Sequence, residues 1–205
     1  DADGDTDADG DADGDADGDS ELQCGELLAV FRDFRADHPD FESFSGPSYR
    51  GLVEPQLGDD GKPVYAHDGP TEVTTGPDNF NQWYRDVEGV NMRFELPIAL
   101  TEAGSGTYVF NDDDFFPLDG MGWPGEETHG HNFHFTTEIH TTFQYQGGEV
   151  FTFRGDDDVF IFVNGHLAVD LGGIHVVEEG SIHFDSRASE FGIEIGGIYD
   201  LDIFH

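Results

Sequence analysis

Gly155-Asp156-Asp157-Asp158-Val159-Phe160-Ile161-Phe162-Val163-Asn164-Gly165-His166-Leu167-Ala168-Val169-Asp170-Leu171-Gly172-Gly173 is the stretch that decides the fold. Asn164-Gly165 lies between two apolar runs. A type I′ turn needs positive φ at both central residues, and Asn-Gly supplies it at the smallest cost, so the stretch is read as a β-hairpin. A two-residue loop sets the register: Val163 faces His166, Phe162 faces Leu167 and Val159 faces Asp170. Residues two apart on a strand share a face, so Asp157 becomes a same-face diagonal neighbour of Asp170. Val159 to Val163 is apolar at every position, which predicts cover on both faces of that strand. Asp156, Asp157, Asp158 and Asp170 crowd hard oxygen donors at the open end of the hairpin, beside the Gly172-Gly173 carbonyls. That chemistry suits Ca²⁺. Without a cation or protons such carboxylates would repel one another at reduced dielectric. Asn164 sits at the far end from Asp170 and serves the turn, with ligand contact as a weaker role. His175, just after the glycines, is a candidate for orienting a ligand.

Working outward, the pattern from Val90 onward has period two. Phe133, Phe135, Thr137 and Ile139 alternate with His134, Thr136, Glu138 and His140. Phe151 and Phe153 follow a Gly147-Gly148 turn. Ile182 and Phe184 alternate, as do Ile193 and Ile195, and Gly196-Gly197 leads into Tyr199, Leu201 and Ile203. Short strands between Gly-rich turns predict an all-β antiparallel sandwich or barrel. Nineteen Phe support a thick core. Leu27, Phe31 and Phe34 recur at spacings of four and three, which predicts an amphipathic helix over 25–38 that Pro39 ends. A second short helix is expected over 80–87, with Phe80, Trp83, Tyr84 and Val87 on one face. Phe115-Phe116-Pro117-Leu118-Asp119-Gly120-Met121-Gly122-Trp123-Pro124-Gly125 reads as a turn-rich loop that plugs a barrel end or walls a binding site. Phe115, Phe116 and Trp123 are its candidates for contact with a ligand.

Residues 1–21 form an acidic linker with Asp at every odd position to Asp19. It carries −11 of the net −37 and has nothing apolar to bury, so it is expected to be disordered. Asp5-x-Asp7-x-Asp9-Gly10 begins like an EF-hand loop, but Ala16 stands where the bidentate Glu belongs, so only weak Ca²⁺ uptake is expected there. Residues 22–205 are read as one domain. The overall field repels nucleic acid and anionic membrane surfaces, which argues against both as partners, and attracts divalent cations; a halophilic origin would also account for it. Cys24 is the sole cysteine, so no internal disulfide forms. No apolar run approaches membrane-spanning length. The missing initiating Met and the ending within an alternating run suggest a processed or excised piece of a longer protein.

Six motifs, in order, resemble the fibro-slime domain. They are Asp78-Asn79-Phe80-Asn81-Gln82-Trp83-Tyr84-Arg85-Asp86-Val87, Phe115-Phe116-Pro117-Leu118-Asp119-Gly120, His131-Asn132-Phe133-His134-Phe135-Thr136, Gly155-Asp156-Asp157-Asp158-Val159, Val169-Asp170-Leu171-Gly172-Gly173-Ile174-His175 and Tyr199-Asp200-Leu201-Asp202-Ile203-Phe204-His205. The resemblance spans about Leu27 to His205. That family is similar to the protective-antigen-type β-sandwich, which also occurs in yeast flocculins. It implies an extracellular, noncatalytic module of bacterial and slime-mould surface proteins that serves adhesion or binds glycans or matrix polysaccharide. It also implies two consecutive Asp, joined by a cis peptide, holding a Ca²⁺ that in turn holds sugar hydroxyls. The pair falls on Asp156-Asp157 or, given the third Asp, on Asp157-Asp158.

Three other readings compete. Calcium could rigidify a spacer that binds no ligand. A zinc site could draw on His129, His131, His134 and His140, but residues two apart on a strand are separated by about 6–7 Å, so His134 and His140 cannot meet on one straight strand. A glycoside hydrolase fragment would need two opposed carboxylates, and neither Glu126-Glu127 nor Glu178-Glu179 stands out from the acidic background. Gly-x-Ser-x-Gly and a phosphate-cradling glycine loop are both missing, so no enzyme is expected.

Overall fold

The computed structural model describes residues 25–41, 48–173 and 175–205. The acidic linker 1–21, Cys24 and Ile174 lie outside the described residues. The chain runs β1 (Glu26–Phe34), α1 (Pro77–Phe80), β2 (Asn91–Ala99), β3 (Thr101–Gly104), β4 (Thr107–Val109), β5 (Phe135–Gln144), β6 (Val150–Gly155), β7 (Val159–Val163), β8 (His166–Leu171), β9 (Glu178–His183), α2 (Phe184–Phe191) and β10 (Ile198–Phe204). It is an all-β antiparallel fold with two short helices. Six strands form the main sheet in the order β2-β1-β5-β10-β7-β8, and β3-β4 and β6-β9 form two-stranded ribbons.

Strand β7 explains how the layers assemble, because all five of its residues are buried, as the unbroken apolar run predicts. Its odd-numbered residues Val159, Ile161 and Val163 pack with Val169, Leu171 and Leu201 beneath Ile182, Phe184 and Phe191 of the β6-β9 ribbon and α2. The two layers touch closely: a Cβ on Gly180 would lie 2.5 Å from Val169 Cγ1. Phe160 and Phe162 project from the other face, with Phe204, into Leu52, Val53, Tyr65, Val73, Phe80, Trp83 and Tyr84. The long segment between β1 and β2 supplies this second cover. It also straps the free edge of β8, where Tyr49 N donates to Gly172 O (2.6 Å), Leu167 N to Pro55 O (2.9 Å) and Leu57 N to Gly165 O (3.1 Å). An unpaired edge invites pairing with another chain, and this strap removes it. Strand β2 is at the opposite end of the order and carries Pro97, a residue that edge strands tolerate.

Three expectations are corrected. Residues 26–34 are a strand, not a helix. Leu27, Ala29 and Phe31 alternate into the cluster with Ile98, Leu118 and Ile139, and the strand is paired on both sides, with β2 and with β5. The 27/31/34 spacing fitted a helical stripe, but ladders on both edges outweigh local propensity. The helix expected over 80–87 is one turn, Pro77–Phe80, followed by turns that still bury Phe80, Trp83 and Tyr84. Phe184, Ile193 and Ile195 are not strand residues: Phe184 opens α2, and the other two follow Gly192, which ends the helix in the left-handed conformation (φ 65°).

Candidate functional site

The hairpin forms at Asn164-Gly165 with φ of 49° and 75°. Val163 faces His166 and Phe162 faces Leu167, as the loop length requires. A bulge then intervenes, so Ile161 faces Val169, Phe160 faces Asp170 and Val159 faces Leu171. The expected Val159–Asp170 pairing is thereby corrected by one residue. With a period of two, a one-residue slip exchanges faces. Asp170 shares the face of Phe160, and by alternation its same-face diagonal neighbour is Asp158 rather than Asp157.

The carboxylate contacts agree. Asp170 Oδ2 accepts from Gly51 N (2.7 Å), and its Oδ1 accepts from Gly172 N (3.1 Å). Asp158 accepts from Gly173 N, so the two carboxylates engage successive amides of one glycine loop. Burial raises the Asp158 pKa to about 6, and the Asp157 charge adds to the rise. Asp157 meets His205 Nε2 at 3.3 Å, and that contact lowers its pKa, although its side chain is 74% exposed. Asp156 is exposed. A Cβ on Gly172 would stand 2.7 Å from the Tyr49 carbonyl, so the strap and the loop fit only around glycine. No peptide bond among the described residues is cis, so the implied cis Asp-Asp pair is not formed. Among the described residues no three His, Cys, Asp or Glu side chains are grouped to hold a metal ion. The donors offered by the Asp loop are nevertheless all hard oxygens, the type Ca²⁺ selects.

The remaining sequence candidates are dispersed. Asn164 Nδ2 donates to Phe191 O (2.8 Å), so it ties the turn to α2. His175 contacts the carbonyls of Leu171 (3.1 Å) and Val176 (2.9 Å) and braces the glycine loop. Phe115 is turned inward against Phe31, Phe135 and His205. The Trp123 ring is covered by the Arg35 guanidinium at 4.0 Å. Phe116 stacks on His131 at 4.2 Å and meets Phe133 edge-on at 4.8 Å. Phe133, 42% exposed, makes this an aromatic ledge that alternation alone did not single out. The histidines are employed separately: His131 bonds Asp119 (2.6 Å), His129 is exposed, His134 is buried and His140 joins a carboxylate network.

That network is the strongest electrostatic feature of the Phe160 face. Glu138, 1% exposed, receives Arg32 on Oε2 (2.6 Å), with Lys62 and His140 both on Oε1 (His140 at 2.5 Å). His140 gives its other nitrogen to Asp202 (2.6 Å), its cross-strand partner. The lone lysine thus pins the covering segment to the sheet. Burial acts to raise the Glu138 pKa, but His140, Lys62 and Arg32 outweigh it and hold it at about 2. Asp202 and then Glu138 raise His140 to about 9.

These shifts set a pH dependence. The Glu138 contribution is complete above its unfolded value near 4.5 and is lost as pH falls through 2. The His140 contribution is complete below 6.5 and is lost as pH rises through 9. The network therefore stabilises most between those unfolded values. The difference in melting temperature between the parent chain and Glu138→Gln, followed from pH 3 to 10, should be widest about there; the raised Asp158 and Asp33 carboxyls, which lower stability as pH rises, are common to both proteins. The alkaline limb should be the shallower, since the His140 side chain is 43% exposed and solvent screens it.

No family model matches the chain. Protein psiD of Dictyostelium discoideum is 38% identical over 179 residues, covering 81% of this chain and 35% of that protein. Protein psiR is 38% identical over 192 residues, covering 86% of the chain and 19% of its own length. Protein psiC is 34% identical over 194 residues, covering 86% and 37%. The chain is thus homologous over most of its length to Dictyostelium psi proteins, and it spans between about a fifth and two fifths of them. A solved anti-sigma factor domain-containing protein covers 88% of the chain at 14% identity with a TM-score of 0.27, too distant a likeness to carry an argument.

Proposed function

We propose that this chain, homologous to segments of the Dictyostelium psi proteins, is an extracellular noncatalytic adhesion module of the fibro-slime type that binds carbohydrate with the help of Ca²⁺. The observation that supports the reading is that Asp170 and Asp158 accept from successive amides, Gly172 N and Gly173 N, of one glycine loop. Asp158 and Asp170 would hold the ion, with Asp156 and Asp157 beside them. Bound Ca²⁺ would offset the burial of the Asp158 charge, and the Asp157 repulsion that adds to it, and offer open positions to vicinal hydroxyls. Phe116, His131 and Phe133 provide an aromatic surface on which a sugar ring could lie; Phe115 and Trp123 are engaged elsewhere, with Phe31 and with Arg35. The protective-antigen-type sandwich, the secreted or cell-surface location and membership of a larger surface protein belong to this reading.

One observation favours the spacer reading. Both oxygens of Asp170 and the Gly172 carbonyl are already bonded within the fold. A cation there would stiffen the strap rather than reach a ligand.

Glycan retention and melting temperature, each measured in Ca²⁺ and in chelator, separate the two. At a free Ca²⁺ of a hundred times Kd, one site stabilises by about 2.7 kcal/mol. The lectin reading expects glycan retention that chelator abolishes. A melting shift with no retained glycan supports the spacer, and no effect of chelator on either readout defeats both.

A further inference from the structure

Between strand β2 and the 110–117 loop lies an open groove of about 460 Å³. Phe31 and Ile98, both buried, form its floor, and Phe110 and Phe115, edge to face at 5.3 Å, form a wall. Asp112 and Asp114 are its only charged or polar lining residues; every other one is apolar. Asp114 N donates to Asp112 Oδ1 (2.9 Å), which holds the Asp112 carboxylate against the loop. Of the aromatic ledge only Phe116 lines the groove; His131 and Phe133 do not, and no Asp of the 156–158 loop does.

We propose that this groove binds an extended peptide segment through an arginine flanked by apolar residues. A phosphate or carboxylate ligand would meet two like charges. A neutral sugar would find acceptors in the two carboxylates but no side-chain donor for its own oxygens, and would gain nothing from the two negative charges. A guanidinium answers both halves of the lining: its planar face lies on aromatic rings, and its fork pairs with carboxylates. The groove is larger than one guanidinium, so Leu96, Pro97 and Phe116 remain to receive the apolar neighbours. The field of a chain with net charge −37 steers such a cation inward.

Calorimetric titration of the full chain, in chelator, with acetyl-Leu-Arg-Phe-amide and with its citrulline twin tests the proposal independently of calcium and glycan. Saturable binding of the arginine peptide is expected, weakened at least about tenfold in the twin and in the double variant Asp112→Asn/Asp114→Asn. Phe110→Ala should weaken it as well. The double variant removes only two of the chain's many negative charges, so diffuse attraction would hardly change. Equal affinity for the twin, unchanged affinity in the double variant, or no binding at millimolar peptide overturns the proposal.

Discussion

Glu138→Ala should be among the most damaging single substitutions in this domain, lowering stability by about 3–5 kcal/mol in urea unfolding. The reason is what it leaves behind. Arg32 is 4% exposed and, among the described residues, keeps Asp86, whose side chain is 58% exposed, as its charged partner (2.8 Å). Lys62 loses the contact that holds the covering segment on the sheet. His140 keeps Asp202 but loses the second of the two carboxylates that hold its proton. A buried cation without a counter-charge costs far more than the intact pair contributes. Against a typical total of about 5–15 kcal/mol, the loss is large. Glu138→Gln keeps the shape and part of the hydrogen bonding and should cost less. A loss below about 1 kcal/mol for Glu138→Ala would mean that water already solvates the network.

Gly122→Ala should destabilise by about 3 kcal/mol through a different route. Gly122 has φ 79°, where an L side chain is strained, and a Cβ there would lie 1.9 Å from Asp33 Oδ2. Asp33 is fully buried, and burial raises its pKa. It accepts from Trp123 N (2.6 Å) and Asn132 Nδ2 (2.7 Å), joining both ends of the 120–132 loop to β1. Making room for a methyl group breaks one or both bonds and leaves a buried carboxylate unsatisfied. Urea unfolding gives the magnitude, and loss of hydrogen-exchange protection over residues 119–132 would locate it. Wild-type stability and protection would show that the loop is held elsewhere.

The antiparallel architecture was legible because its strongest signals are local. Asn164-Gly165 specifies its turn by φ alone, and an unbroken Val159–Val163 run specifies a doubly covered strand. What could not be read depends on contacts distant in sequence. Strand β1 carries a helical spacing and becomes a strand because β2 and β5 pair with its two edges. The bulge beyond Phe162 has no turn residue to announce it, yet it decides that Asp158, not Asp157, accompanies Asp170. The Glu138 network joins positions 32, 62, 138 and 140, of which only the last two are near neighbours in the chain. A single lysine in so acidic a chain was a signal that a paired carboxylate had to exist, but not which one.

The central claim is that the Asp158–Asp170 face of the hairpin takes Ca²⁺. Calorimetric titration of Ca²⁺ into the full chain and into Asp158→Asn, with the variant's fold checked by its melting transition, tests it most directly. A saturable event with Kd about 10⁻⁴–10⁻³ M in the parent chain, gone in the variant while the weak uptake of the acidic linker persists, is the predicted result. Identical titration curves for the two proteins would contradict it.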